Sequence, residues 1–171
     1  MKLYRFSPIK NKEELVDAIR YTHFASFELC KRAFGKYLPV AGNIGIFCHY
    51  KEEFEFLAKL RKELTDSNIS FNGKYFLLHE PIIIEAENGI PKTTYEYLYI
   101  RQPDRFRPQV GDVDFVIEKS EYGKIQDLKE VNKVEIFNRP DLGMCELFHS
   151  DSDVLVYLTT KTVAEVIANK T

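Results

Sequence analysis

The sequence contains few cysteines and no long apolar run, and both absences narrow the class of protein. Three cysteines, Cys30, Cys48 and Cys145, lie far apart, so there is no CxxC pair and no zinc-type Cys/His spacing. Their apolar neighbours predict reduced, mostly buried thiols, which favours a cytoplasmic protein. No stretch reaches the roughly 18 apolar residues of a membrane span, and the opening MKLYRFSPIK has no signal-peptide core.

An excess of basic residues is also absent. The chain has 24 Lys and Arg residues against 26 Asp and Glu residues, which gives a formal net charge of -2. A domain that coats nucleic acid usually carries a strong positive charge. Net charge therefore does not support a nucleic-acid partner, and any such contact would have to be local.

The composition that remains is that of an ordinary soluble globular protein. The chain has 171 residues, of which 44% are apolar and 29% are charged. No internal repeat, low-complexity tract or Gly/Ser linker divides it. We therefore expect one domain over residues 1–171.

The first half of the sequence favours helices. Asn11 has the character of a helix N-cap, with Glu14 placed to complete a capping box, and Gly35 is a natural C-terminal stop. Between them, apolar residues recur at helical spacing. A buried strand is predicted over 43–49, with the preceding AGNIG as a tight turn, then a second helix over 51–65 and a loop over 66–73.

The second half favours strands. Predicted strands cover 74–79, 81–85, 93–101, 112–119, 134–137, 145–149 and 153–158. A short helix is expected over 120–131, and a final helix over 161–170 follows Thr160 as its cap. Strands that follow one another without helices pair antiparallel. We predict a single α+β domain, a mainly antiparallel or mixed sheet with about four helices packed on it.

The strand DVDFVIEK, residues 112–119, carries the strongest chemical signal. Alternation along a strand places Asp112 and Asp114 on one face. Carboxylates two residues apart can share a divalent cation, and the alternating pattern resembles the metal-binding strand of nucleotidyltransferases. That resemblance implies Mg²⁺ or Mn²⁺ at the two aspartates, although the Gly-Ser helix start of that family is missing. The alternative is a solvated outer face of an ordinary strand.

An arginine-rich loop, RQPDRFRP, precedes this strand. Arg101, Arg105 and Arg107 on a proline-stiffened loop are suited to hold phosphates or carboxylates. The alternative is that they pair with nearby acids of the chain, Asp104 and the two strand aspartates, in which case no cation is needed.

A row of tyrosines lies just upstream. Strict alternation would place Tyr95, Tyr97 and Tyr99 on one strand face, which ends at Arg101. Such a row can stack bases or recruit a protein partner. The alternative is that this face packs beneath a helix.

The histidines are dispersed, and two of them invite a prediction. His23 lies on the apolar stripe of the first helix, where a histidine is usually a hydrogen-bonded core residue. His49 ends the first buried strand, immediately before a helix, so it is the best histidine candidate for acid/base chemistry.

Two functional hypotheses follow, and the sequence leaves open whether the protein is an enzyme. The first is a small binding or regulatory protein that recognises a protein partner or an anionic ligand through its Tyr/Arg surface. The second is a divalent-metal-dependent enzyme acting on a phosphate-containing substrate, such as a nucleotide or nucleic acid, with Mg²⁺ or Mn²⁺ as cofactor. A homodimer contact is a further role for the arginine loop. An enzyme needs the acids and a third ligand to converge, whereas a binding protein needs an exposed aromatic patch.

Overall fold

The structure is a computed structural model that describes residues 4–122, 125, 135–139 and 144–169. Within these ranges the helices are α1 (Lys12–Phe34), α2 (Lys51–Leu64), α3 (Lys119–Tyr122) and α4 (Val163–Ala168). The strands in the same ranges are β1 (Val40–Phe47), β2 (Thr65–Phe71), β3 (Tyr75–Ile84), β4 (Thr93–Arg101), β5 (Gly111–Val116), β6 (Glu135–Arg139), β7 (Met144–Phe148) and β8 (Val154–Thr159).

The strands described form one mixed sheet in the order β2-β3-β4-β1-β5-β8-β7-β6. It consists of two similar βαβββ units, in which the first and last strands of each unit pair in parallel, β1 with β4 and β5 with β8. Successive strands inside a unit pair antiparallel, as the sequence predicted. The two units meet where β1 pairs antiparallel with β5, with Gly45 opposite Asp112. The predicted α+β architecture with a mixed sheet is confirmed.

The main core lies between one face of this sheet and the helices α1 and α2. Helix α1 begins at the predicted cap, where the Asn11 side chain accepts a hydrogen bond from the Glu14 amide, and it ends at Gly35 with a left-handed φ of 69°. Its apolar stripe packs on central strands, with Phe27 against Phe115 at a ring distance of 4.9 Å. Val113 of β5 is also fully buried in this core.

The segment 66–73 was predicted as a loop, and this is wrong. Residues 65–71 form the edge strand β2, which pairs with β3. Asn72 and Gly73 have φ values of 54° and 64°, as a tight hairpin turn requires, and Asn-Gly is a strong hairpin signal. The polar composition of 66–73 reflects an edge strand that is largely exposed, not a loop.

Three further predictions differ in detail. Pro81 does not divide two strands but lies inside β3, where the pairing with β4 shifts register between Leu77 and Ile82. AGNIG is not a turn but part of β1. The final helix is capped by Thr162, whose side chain accepts from the Glu165 amide, and not by Thr160. Most of the helix predicted over 120–131 lies outside the described residues.

The structure bears on two features of the sequence, the small number of cysteines and the lack of a long apolar run. All three cysteines are buried and free of disulfides, as predicted. Among the described residues, no helix has the length and apolar character needed to cross a membrane.

Candidate functional site

Asp112 and Asp114 lie side by side on the sheet face opposite the main core. Their neighbours Val113 and Phe115 point into that core, and alternation sends the carboxylates the other way. They are nevertheless not solvated, because Asp112 is 1% exposed and Asp114 is 4% exposed. The alternative of a wet outer strand face is therefore wrong. Strand β5 is central, with β1 and β8 on its two sides, and the face that carries the acids is covered by side chains of the neighbouring elements, including Tyr75 and Tyr157.

The two carboxyl groups share this buried position with the amide of Asn43. Asn43 lies on β1, next to β5, and is fully buried. Among the described residues, its amide nitrogen and oxygen have no hydrogen bond of good geometry, although the amide lies close enough to Asp114 to lower the pKa of that carboxyl; one oxygen each of Asp112 and Asp114 likewise has no partner there. Buried polar atoms without partners are uncommon and costly. We refer to Asn43, Asp112 and Asp114 as the carboxylate cluster.

Two arginines lie near the carboxylate cluster, but each has a carboxylate partner of its own. Arg101 donates from Nη2 to Asp104 at 3.1 Å. Arg107 binds Glu146 in a bidentate ion pair, through both of its terminal nitrogens. Neither aspartate of the cluster is in an ion pair with any described residue. The alternative that the arginines pair with nearby acids is therefore confirmed for Arg101 and Asp104 and wrong for Asp112 and Asp114, which have no direct counterion among the described residues.

Burial is the largest influence on the pKa values of Asp112 and Asp114. It raises the pKa of Asp112, an effect that Arg101 opposes and Glu146 strengthens. It raises the pKa of Asp114 well above the ordinary value, and the charge of Asp112 adds to this while the neighbouring Asn43 amide opposes it. Two carboxyls so close in a dry environment resist double ionisation unless a cation joins them.

Close packing and tyrosines surround the cluster. A β-carbon on Gly45 would collide with the Asp112 carboxylate, so glycine at this position leaves room for the acid. Tyr157 of β8 lies opposite Asp114. Tyr75 reaches over from β3, with its ring 5.2 Å from that of Tyr99. Tyr75 lines one cavity with Asp114, and burial raises the pKa of Tyr75, an effect to which the charges of Asp114 and Asp112 add.

The donor set fits a hard divalent cation. Two carboxylates and an amide oxygen are ligands that Mg²⁺ and Mn²⁺ prefer, and Mg²⁺ commonly takes one or two protein carboxylates and keeps water on its other positions. Among the described residues, no three His, Cys, Asp or Glu side chains come together as a metal site, so the third protein ligand would be Asn43. A cavity of about 150 Å³ reaches Asp114 between Phe71, Tyr75 and α4. That volume holds several water molecules.

A second, larger cleft lies beyond Tyr99 and is cationic. Its volume is about 540 Å³, and it runs between the β2–β3 turn and the arginine loop. Lys74, Arg101 and Arg105 line it, with Asp104 as its only acid among the described lining residues. Tyr99 lines the same cleft and flanks Gly45, whose other neighbour is Asp112. An anion in this cleft would therefore lie beside the carboxylate cluster.

The predicted tyrosine face is not formed. Tyr95 lies in the main core, fully buried, and its hydroxyl is 2.8 Å from Nδ1 of His23. Leu98, three residues on, lies in the same core, which strict alternation would forbid. The strand is therefore irregular between them, and Tyr97 and Tyr99 do not share a face with Tyr95. Tyr97 is 6% exposed, so this strand presents no exposed aromatic patch.

The two histidine predictions have different outcomes. His23 is the hydrogen-bonded core residue that was expected. His49 is grouped with Ser7 and Glu53, not with the carboxylate cluster. Its Nδ1 lies 2.7 Å from the Ser7 hydroxyl, and its ring stacks on Tyr4 at 3.8 Å. The Ser7 hydroxyl in turn donates to Glu53 at 2.8 Å, so His49 acts in the packing of the N-terminal segment.

Sequence reasoning missed several residues of the site. Asn43 and Gly45 were predicted to lie at a tight turn and in the buried strand 43–49 that follows it, without a role in a site, and nothing in the sequence placed Tyr75 or Tyr157 near the acids. Glu146, the partner of Arg107, is 39 positions away in the chain. One signal was present, because glycine inside an apolar strand suggests that another group approaches the backbone closely.

Comparison with known proteins supports the fold. No protein-family model and no curated protein matches the chain. A solved structure described as structural genomics protein EC4020 covers 100% of this chain and 99% of its own, with a TM-score of 0.67 and 14% identity. This likeness shows the α+β fold.

Two enzymes are similar only at a lower level. FosX, the fosfomycin resistance protein from Mesorhizobium loti, has a TM-score of 0.31 and 11% identity over 72% of this chain and 93% of its own. Methylmalonyl-CoA epimerase from Streptomyces coelicolor has a TM-score of 0.33 and 14% identity over 71% of this chain and 98% of its own. A likeness this distant supports no ligand or reaction for this chain.

Proposed function

We propose that the protein is a divalent-metal-dependent enzyme that acts on a small phosphate-containing substrate. The carboxylate cluster would hold Mg²⁺ or Mn²⁺, and the cationic cleft would hold the phosphate. The observation that carries the proposal is the burial of Asn43, Asp112 and Asp114 together with oxygen atoms that have no partner.

The cation is favoured over a merely structural acid pair because of the arginines. If Arg101 and Arg107 were paired with the aspartates, the site would be neutral and complete. They are instead engaged by Asp104 and Glu146. A divalent ion would supply the missing charge and accept the orphaned oxygens of all three cluster residues as ligands.

The phosphate is favoured by the charge of the neighbouring cleft. Lys74 and Arg105 form no ion pair with any described residue, and Arg101 keeps its Nε atom without a partner. Arginine and lysine together are typical phosphate ligands. Arg107 was predicted as part of this clamp, but its bidentate pair with Glu146 assigns it a structural role, and Lys74 takes its place.

Each group in the site would then have a distinct task. Lys74, Arg101 and Arg105 bind and orient the anionic group, while Tyr99 separates it from the cluster. A metal held by Asn43, Asp112 and Asp114 would supply positive charge on the other side of Tyr99, which would favour an anionic group in the cleft. Tyr75 covers the cluster and excludes bulk water.

The binding-protein hypothesis has less support, because the predicted face of Tyr95, Tyr97 and Tyr99 is not formed. Tyr95 is in the core, so the three tyrosines form no common face, whereas anion binding by Arg101 and Arg105 is common to both hypotheses. Phe106 is 73% exposed beside Arg105, which leaves a small contact for a protein partner or a second copy of the chain. A protein partner, a homodimer and a cytoplasmic location stay predictions.

Thermal unfolding with and without Mg²⁺ or Mn²⁺ tests the metal. The wild type should be stabilised by about 2.7 kcal/mol when the ion is at a hundred times its dissociation constant. The double variant Asp112→Asn/Asp114→Asn should lose this shift. Asp151→Asn, which changes an exposed acid, is the matched control and should keep it. A shift that persists in the double variant would place the ion elsewhere.

A phosphate-release assay tests the reaction. A panel of nucleotides and phosphoesters is incubated with Mn²⁺-loaded protein, and inorganic phosphate is measured. Turnover should fall in Lys74→Ala/Arg105→Ala with a higher KM, whereas the exposed control Lys59→Ala should behave as wild type. If Lys74→Ala/Arg105→Ala turns over substrate as the wild type does, the cleft does not bind the phosphate. If the protein binds the metal but releases phosphate from none of these compounds, the proposal of an enzyme is contradicted and only metal binding is supported.

A further inference from the structure

A third cavity is apolar, unlike the carboxylate cluster and the cationic cleft. It lies between the first turns of α1, the end of α2 and the middle of β3, and its volume is about 440 Å³. Cavities of this size bind small molecules. It shares no lining residue with the carboxylate cluster or the cationic cleft.

The cavity reaches the main core. Its floor is formed by residues of that core that are between 0% and 7% exposed: Leu15, Ile19, Leu78, Ile84 and Leu98. Its rim, in contrast, includes Val16 and Ile83, which are 46% and 54% exposed. Large apolar side chains seldom lie so open, and two of them here border one opening.

The cavity lies along the irregular stretch of β3. The pairing of β3 with β4 shifts register between Leu77 and Ile82, and Pro81 in this stretch has no amide to donate. The residues in and next to this irregular stretch, Leu78 to Ile84, line the cavity. The sequence predicted a break between two strands at Pro81; the irregularity does lie there, but within a single strand.

The charges on the rim are balanced. Lys12 and Arg20 lie on the α1 side, and Glu63 and Glu80 lie on the other walls; Arg20 also forms an ion pair with Glu87 at 3.3 Å, so the rim carries no positive excess. Neither an anionic nor a cationic ligand would gain net attraction from this set. The opening is also far smaller than the roughly 800 Å² that each partner buries in a stable protein interface.

We propose that this cavity binds one uncharged, largely apolar small molecule. Its apolar body would contact Leu15, Ile19 and Ile84, and Val16 and Ile83 would close over it. The proposal depends on this cavity alone and stands or falls independently of the metal site.

Binding of N-phenyl-1-naphthylamine, an uncharged fluorophore, tests the proposal. The chain has no tryptophan, so intrinsic emission does not interfere with the dye. The dye should bind wild type at one site and be displaced by decanol. Val16→Phe and Ile83→Phe, which fill the mouth from two sides, should each weaken binding at least tenfold. Ile69→Phe changes an exposed residue of β2 and is the matched control, which should bind as wild type does.

Two results would overturn the proposal. The first is dye binding that is absent from wild type, or unchanged in both filled variants while their thermal unfolding is normal. The second is competition by decanoate or decyltrimethylammonium that is tenfold stronger than competition by decanol, because that would assign the cavity to a charged ligand.

Discussion

The two faces of strand β5 are equally buried and chemically opposite. Val113 and Phe115 on one face are fully buried among apolar side chains, and Asp112 and Asp114 on the other are 1% and 4% exposed. On the apolar side of the sheet, the buried His23 of α1 has a hydrogen bond to Tyr95. The acids have no ion-pair partner in the described chain. Burial alone therefore does not distinguish a core from a site; the difference here is that the second face buries two carboxyl groups that have no ion pair with any described residue.

The apolar face should respond most strongly to mutation. Phe115→Ala removes a ring that packs on Phe27 and is expected to lower the free energy of unfolding by about 3–5 kcal/mol. Chemical denaturation measures this loss. Exposed Phe106→Ala is the control and should change stability by less than about 0.5 kcal/mol. A loss of similar size in both variants would contradict the assignment of the core.

Gly45→Ala sharpens the comparison on the polar face. Its new methyl group would meet the Asp112 carboxylate, and overpacking of this kind costs about 1–3 kcal/mol. Removal of the carboxylate in Gly45→Ala/Asp112→Ala should relieve the clash. The double-mutant cycle in denaturant should therefore give a coupling of the two positions. Strict additivity would mean that the two groups do not touch.

The two faces should also titrate in opposite directions. Burial, with a smaller effect of Arg20, lowers the pKa of His23 to about 4, and burial raises the pKa of Asp112 to about 7. Between pH 4 and 6.5 the unfolded chain binds a proton at His23 that the folded chain does not, so this group makes stability rise with pH. Between pH 4 and 7 the folded chain keeps a proton on Asp112 that the unfolded chain releases, so this group makes stability fall.

Denaturation from pH 4 to 7 separates these effects. Relative to wild type, His23→Gln should show a stability that falls more steeply with pH. Asp112→Asn should show the reverse. Each proton contributes a slope of at most about 1.4 kcal/mol per pH unit. Parallel curves for wild type and both variants would show that neither group is perturbed in the folded state.

The smallest expected effect concerns the hydrogen bond between Tyr95 and His23. Tyr95→Phe removes the hydroxyl and keeps the ring, so the cost should be about 0.5–1.5 kcal/mol. Tyr97→Phe is the control, since no hydrogen bond of its hydroxyl is seen among the described residues. Thermal unfolding measures both. If both variants lose the same stability, the hydrogen bond between Tyr95 and His23 does not contribute to the stability of the fold.

Local chemistry in the sequence predicted much of the fold. Asn11 and Gly35 bound α1 as expected, because caps depend on residues that are neighbours in the chain. Strand β4 was predicted over its full extent, 93–101. The Asn72–Gly73 turn was missed because the polar run was interpreted as a loop, although its turn chemistry was present.

The site was only half predictable. Alternation placed Asp112 and Asp114 on one face, but it does not tell whether that face is wet, since this depends on the position of β5 in the sheet. The partners of Arg101 and Arg107 are also a matter of tertiary structure, because Glu146 is brought to the site by β7. Tyr95 shows the limit of alternation, because one irregularity moved it to the opposite face.

The central claim is that a divalent cation replaces protons at the carboxylate cluster. Calorimetric titration of Mn²⁺ at pH 6, in two buffers with different ionisation enthalpies, tests it most directly. We predict binding of one ion with release of at least one proton, because the folded carboxyls bind protons at that pH and ligands must give them up. The variant Asp112→Asn/Asp114→Asn should show neither binding nor release. Absence of binding to wild type, or binding with no proton released, would contradict the account.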